Sequence, residues 1–189
     1  MTKAVIGIDL DGVVCRPPFG LNLTIGRGPY RGWEDQHVAS ALRFRKSAFR
    51  VLFNHLKYIG RIPMSDARVA LPSIKQYRDL ALVTSRTALV HRLVESWLER
   101  HEMLNLFESV YTNDTGLPSP EFKWQVLSER GIEEFVDDDG RVADFLGRKG
   151  LNRIFLRDWP RNRGYQYPDN VVRVSSLKEV SEHLAGVGR

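Results

Sequence analysis

Five aspartates stand at two places where an α/β chain can do chemistry. An apolar run at residues 4–8 ends in Asp9-Leu10-Asp11-Gly12, and a strand-like stretch at residues 132–136 leads into Asp137-Asp138-Asp139-Gly140. Between them, Thr84 and Ser85 follow the apolar stretch at residues 80–83, and Lys123 lies near the start of a helical segment. A carboxylate can attack phosphorus and form an acyl-phosphate. A second carboxylate two residues further on points the same way along an extended chain. It can protonate a leaving oxygen and then activate water. Acids alone would repel a phosphate, and a hard cation held by carboxylate oxygens removes that repulsion; magnesium suits such a set. The hydroxyls and the ammonium can hold phosphate oxygens as charge develops. Each fragment also has a plainer reading. Asp-X-Asp-Gly is the composition of an Asx turn, Thr84-Ser85 that of a helix cap, and a lysine near a helix start is usually solvated. The joint order, with all four groups at the predicted sheet edge, favours chemistry.

The elements that must position these groups follow from periodicity. Residues 4–8, 80–84, 109–112, 132–136, 153–156 and 171–174 read as short strands, most of them apolar. Residues 71–77, 88–100, 120–130 and 142–149 read as helices, and Ser176 with Glu179 in the capping-box position opens the last one. From Leu80 onward strand and helix alternate, which predicts a Rossmann-like α/β fold: a parallel sheet with helices on both faces. Ligands of such sheets bind outside the carboxyl ends of the strands. The first two strands are separated by about seventy residues, far more than a simple crossover needs. A helical insert is therefore expected over residues 15–73, with the catalytic core formed by residues 1–14 and 74–189. Residues 38–59 carry its strongest amphipathic pattern, with a basic stripe at Arg43, Lys46, Arg50 and Lys57.

The ordered set resembles the haloacid dehalogenase superfamily of phosphohydrolases. Asp9-Leu-Asp-Gly-Val-Val14 is similar to its first motif, Leu82-Val-Thr84-Ser-Arg to its second, Lys123 to its third and Phe135-Val-Asp-Asp-Asp139 to its fourth. The resemblance implies that Asp9 is the nucleophile and a metal ligand. It implies that Asp11 is the general acid/base, with its main-chain carbonyl on Mg2+. Thr84 and Ser85 would bind phosphate, and Lys123 would bridge Asp9 and the phosphate. Asp138 would be the third protein ligand, with Asp137 supporting and Asp139 the least constrained. The insert resembles the helical caps of that superfamily, which close over the site and select substrate. Arg31 and Trp33 are its candidate selectivity residues. The tail, Phe155-Leu-Arg-Asp-Trp-Pro-Arg-Asn-Arg163 and Arg173-Val-Ser-Ser-Leu-Lys-Glu179, is similar to the cytosolic deoxyribonucleotidase branch, although Leu177 stands where an aromatic is usual.

Together these features lead to a small phosphorylated substrate, with a nucleoside monophosphate preferred and a sugar phosphate or other metabolite close behind. Two alternatives stand beside it. The formal net charge of +5 and the basic stripe suit a phosphatase acting on nucleic-acid ends. A non-catalytic phosphate-binding protein is the reading outside enzymology. Cys15 is the single cysteine, so no intramolecular disulfide forms and a reducing, cytoplasmic setting fits. The amino-terminal stretch turns acidic too early for a signal peptide, and no apolar run approaches a membrane span. The five histidines show no metal-ligand spacing.

Overall fold

The computed structural model of the chain describes residues 3–16 and 61–187. Six parallel strands form one sheet in the order β3-β2-β1-β4-β5-β6. They are β1 (Val5–Ile8), β2 (Asp79–Thr87), β3 (Phe107–Asn113), β4 (Glu134–Asp137), β5 (Arg153–Arg157) and β6 (Val171–Val174). The described α-helices are α1 (Ala67–Lys75), α2 (His91–Arg100), α3 (Ser119–Glu129), α4 (Gly140–Arg148) and α5 (Leu177–Val187). The expected α/β architecture is the one observed. The anticipated insert helix at residues 38–59, its basic stripe, Arg31 and Trp33 lie outside the described residues.

Period-two alternation sorts the strand residues onto two buried faces. Ile6, Ile8, Leu80, Leu82, Val136 and Phe155 join one core, beneath α1, α2 and α5. Ala81, Val83, Phe135, Ile154 and Leu156 join the other, with Phe122 and Leu127 of α3 and Val142 and Leu146 of α4. Near-continuous apolar strands are what burial on both faces demands. Local signals set the helix starts. Pro118 and Pro120 open α3. The Asp139 side chain accepts the Arg141 main-chain N–H and caps α4. At α5, Glu179 N–H donates to Ser176 Oγ (3.2 Å), and the Glu179 carboxylate accepts from Ser175 N–H (2.7 Å), so the expected reciprocal cap closes one residue upstream.

The boundary expected at residue 73 is corrected. Helix α1 buries Ala67, Ala70, Leu71 and Ile74 in the same core as β1, so it packs with the sheet. Moreover, Arg16 N–H donates to Ile62 O (3.0 Å) and Met64 N–H to Val14 O (2.8 Å). The described segments ending at residue 16 and beginning at residue 61 therefore lie side by side. The sequence reading missed this because α1 is short and contains Pro72, which interrupts a helical pattern.

The order of strands has one consequence for function. After β1 the chain builds β2 and β3 on one side, then returns to place β4 on the other. The carboxyl ends of β1 and β4 are therefore neighbours at a topological switch point, where helices and loops diverge and leave a crevice.

Candidate active site

Register brings the two acidic turns together. Ile8 lies opposite Val136, and Asp9 N–H donates to Val136 O (3.0 Å). Asp9 and Asp137 then have the same parity as Gly7 and Phe135, so both project toward the face carrying α3. From α3 the Lys123 ammonium meets both, at 2.9 Å from Asp9 Oδ1 and 2.7 Å from Asp137 Oδ2. All three are buried. Asp137 is fixed further by the Asp138 and Asp139 N–H groups, which donate to its Oδ1 at 2.8 and 2.9 Å.

Carboxylate oxygens of Asp9, Asp137 and Asp138 lie within 4.8 Å of one another. Burial pushes the Asp9 carboxyl well up, and the Lys123 charge opposes this only in part. Burial also pushes Asp138 up to about 7, against the neighbouring Arg161 charge. For Lys123, desolvation is outweighed by the charges of Asp137 and Asp9, and its ammonium is held firmly protonated. The Asp138 turn is packed closely against the first loop. Gly12 has φ +81°, and a Cβ there would sit 1.7 Å from Asp138 Oδ2. Only glycine suits both the backbone and the approach.

The outer acids differ. Asp11 receives a two-pronged contact from Arg86, with Nε 2.7 Å from Oδ2 and Nη2 2.7 Å from Oδ1. Arg61 also donates to Asp11 Oδ1. Burial would raise the Asp11 carboxyl, but the Arg86 and Arg61 charges and hydrogen bonds outweigh it and hold it below its ordinary value. Its side chain is thus not in the acidic cluster, and only the main-chain role implied by the resemblance would bring it to a cation. Asp139 pairs with Arg141 (2.5 Å), whose hydrogen bonds and charge overcome burial and hold it at about 2. It serves as the α4 cap, leaving Asp138 as the member of the triplet that faces the first loop.

A cavity of about 300 Å³ opens over these groups, lined by Asp9, Asp11, Thr84, Ser85, Arg86, Ser119, Lys123 and the three consecutive acids. Every described site residue anticipated from sequence is therefore on one cavity. Thr84 is buried at the end of β2, and Ser85 Oγ lies 2.5 Å from Ser119 Oγ. Cys15 is buried, and burial raises its thiol to about 11.

Five residues were given no role from sequence: Arg86, Ser119, Arg61, Arg161 and Asn162. Arg86 stands two residues past Thr84 in β2, inside the stretch that resembles the second motif. Arg61, Arg161 and Asn162 reach the site from elsewhere. Arg161 Nη2 contacts both Asp138 O (2.7 Å) and Asp138 Oδ2 (2.8 Å), and Asn162 Nδ2 donates to Asp138 O (2.9 Å). The turn after β5 thus holds the Asp138 main chain in place.

No family model and no curated protein matches the chain. Solved structures match it over nearly its whole length. A haloacid dehalogenase-like family hydrolase from Streptococcus pneumoniae has a TM-score of 0.63 at 13% identity, covering 96% of this chain and 98% of its own. A haloacid dehalogenase-like family hydrolase from Xanthomonas campestris has a TM-score of 0.61 at 14% identity, covering 98% and 96%. A hydrolase of that superfamily, subfamily IA, from Geobacter sulfurreducens has a TM-score of 0.55 at 16% identity, covering 96% of each chain. The fold of this chain is that of the haloacid dehalogenase superfamily, the one its motifs resemble.

Proposed function

We propose that this chain is a magnesium-dependent phosphohydrolase that cleaves a small phosphomonoester through an aspartyl-phosphate on Asp9. The observation that carries the reading is the Lys123 ammonium bound between Asp9 and Asp137, with Asp138 beside them, at the carboxyl ends of β1 and β4. Asp9, Asp138 and the Asp11 main-chain carbonyl would hold Mg2+, with Asp137 assisting. When bound, the ion supplies the positive charge that lets a phosphate approach three carboxylates.

The chain's own groups account for the remaining steps. An Asp9 oxygen attacks phosphorus while the ester oxygen leaves and takes a proton from Asp11, which first binds one from solvent because Arg86 and Arg61 favour its ionised form in the ligand-free cavity. Asp11, now a carboxylate, removes a proton from water as that water attacks phosphorus; the acyl-phosphate P–O bond breaks, releasing inorganic phosphate and restoring Asp9. Lys123 holds the nucleophile in place and balances its charge, and the Thr84 and Ser85 hydroxyls receive phosphoryl oxygens. Structural neighbours described as hydrolases support the reaction class.

Nucleoside monophosphates are the preferred substrate class, on the strength of the tail motif at residues 155–163 and 173–179. Arg31 and Trp33 would select the leaving group. The test is a phosphate-release screen with magnesium over nucleoside monophosphates, sugar phosphates and 5′-phosphorylated oligonucleotides. Asp9→Asn should fold normally and lose turnover by ~10³-fold or more, since an amide is a poor nucleophile. Beryllium fluoride should inhibit the wild type. Near-normal turnover in Asp9→Asn would sink the covalent mechanism.

A further inference from the structure

Arg86 takes no part in the steps above, yet it lines the cavity between Ser85 and Asp11. Its guanidinium presents two N–H groups to the two oxygens of one carboxylate, each at 2.7 Å. Carboxylate and phosphoryl oxygens are the two anionic partners that this planar fork matches in geometry. We propose that Arg86 is a phosphate-binding residue and that Asp11 occupies its fork in place of a phosphoryl group. When a phosphorylated ligand enters, at least one prong passes from Asp11 to a phosphoryl oxygen, and Asp11 gains freedom to turn toward the leaving group. The inference rests on the phosphohydrolase reading and deepens it.

Three observations carry it. First, among the described residues the cavity wall presents five carboxylates and two cationic side chains, Arg86 and Lys123. Lys123 is committed to Asp9 and Asp137. Second, Arg86 follows Thr84 and Ser85 at the end of β2, so one strand end delivers two hydroxyls and a guanidinium to the same cavity. Third, the two arginines on Asp11 are not equivalent. Arg61 is not among the cavity-lining residues, and its own carbonyl accepts the Trp97 indole N–H at 3.1 Å, tying it to α2. Arg61 can keep Asp11 partnered while Arg86 turns to a ligand.

The exchange predicts competition between Asp11 and phosphate for one guanidinium. Binding of inorganic phosphate in the presence of magnesium, followed by calorimetry, reads it directly. Arg86→Met should weaken phosphate binding by ~10-fold or more, since charge-assisted hydrogen bonds are lost. Arg86→Lys, which keeps the charge but not the fork, should fall between. Asp11→Asn should abolish turnover yet tighten phosphate binding by roughly 3- to 10-fold, because a neutral amide competes poorly for the fork. In the Asp11→Asn/Arg86→Met double variant that gain should shrink to the part owed to removing one negative charge from the cavity. With a small aryl phosphate, Arg86→Met should raise KM more than it lowers kcat.

Wild-type phosphate affinity in Arg86→Met, or strictly additive effects in the double variant, would overturn the exchange and leave Arg86 as an anchor for Asp11. Thermal midpoints and far-ultraviolet circular dichroism establish folding. If Arg86→Met does not fold, Arg86→Lys and Asp11→Asn still decide, because equal phosphate affinity in the wild type and both variants is the opposite of what exchange requires. If the wild type neither binds phosphate nor releases it from any phosphomonoester, the phosphohydrolase reading itself fails, before any substitution is made.

Discussion

The floor and the rim of the cavity use the same residue type in opposite ways. On the floor, Asp9 and Asp137 share Lys123, Asp138 meets Arg161, and burial drives Asp9 and Asp138 toward protonation. On the rim, Asp11 has Arg86 and Arg61, Asp139 has Arg141, and both carboxyls are held below their ordinary values. One residue separates Asp9 from Asp11, and none separates Asp138 from Asp139. The difference is therefore not local composition. On the floor three carboxylates share two cations, Lys123 and Arg161, whereas each rim acid is matched by arginine of its own, and Asp139 also caps α4.

The comparison can be broken most sharply at Gly12, where the floor meets the first loop. Gly12→Ala places a Cβ against Asp138 Oδ2 in a backbone with φ +81°. It should cost ~1–3 kcal/mol of stability and displace Asp138 from the cluster, weakening Mg2+ binding severely. Denaturant unfolding and a magnesium titration, run with and without the substitution, check both parts. Unchanged magnesium affinity would mean that Asp138 is not held by this contact.

Substituting neighbours on β4 sharpens it next. Asp138→Ala should abolish most magnesium affinity. Asp139→Ala should leave that affinity within a few-fold and cost instead about 0.5–2 kcal/mol of stability, the usual worth of a lost helix cap. If Asp139→Ala is the worse lesion for magnesium, the assignment of floor and rim along this triplet is reversed.

The smallest effect is a pH dependence. The folded-state pKa of Asp138, about 7, lies above its ordinary 3.8, so the folded protein prefers the proton. Stability from this group is fully present below about 3.8 and is lost as pH rises through about 7. Magnesium needs the ionised carboxylates, so it should restore that loss and stabilise far more at pH 8 than at pH 5. At magnesium near 100 times Kd, a gain of roughly 5–10 °C in Tm is expected at pH 8, and little at pH 5. Equal gains at both pH values would show that the floor carboxylates do not hold the ion.

Much of this site was legible from residue order because the relevant physics is local. Apolar runs of strand length, each followed by Asp, Thr or Ser, mark strand ends, and an α/β sheet gathers its strand ends on one edge. That reasoning suffices for Asp9, Asp11, Thr84, Ser85 and the 137–139 triplet; Lys123, on a helix, was reached through the motif resemblance. Tertiary structure alone decided the rest. Placing β4 against β1 is a matter of sheet order, and it makes Asp9 and Asp137 neighbours across a long stretch of chain. Which acid of each pair is buried depends on what packs over it: Lys123 from α3 above Asp9, Arg86 and Arg61 around Asp11, Arg161 and Asn162 behind Asp138. The arginines look in sequence like ordinary solvated side chains. Their partners are chosen by distances that only the folded sheet creates, and so are the charges that separate floor from rim.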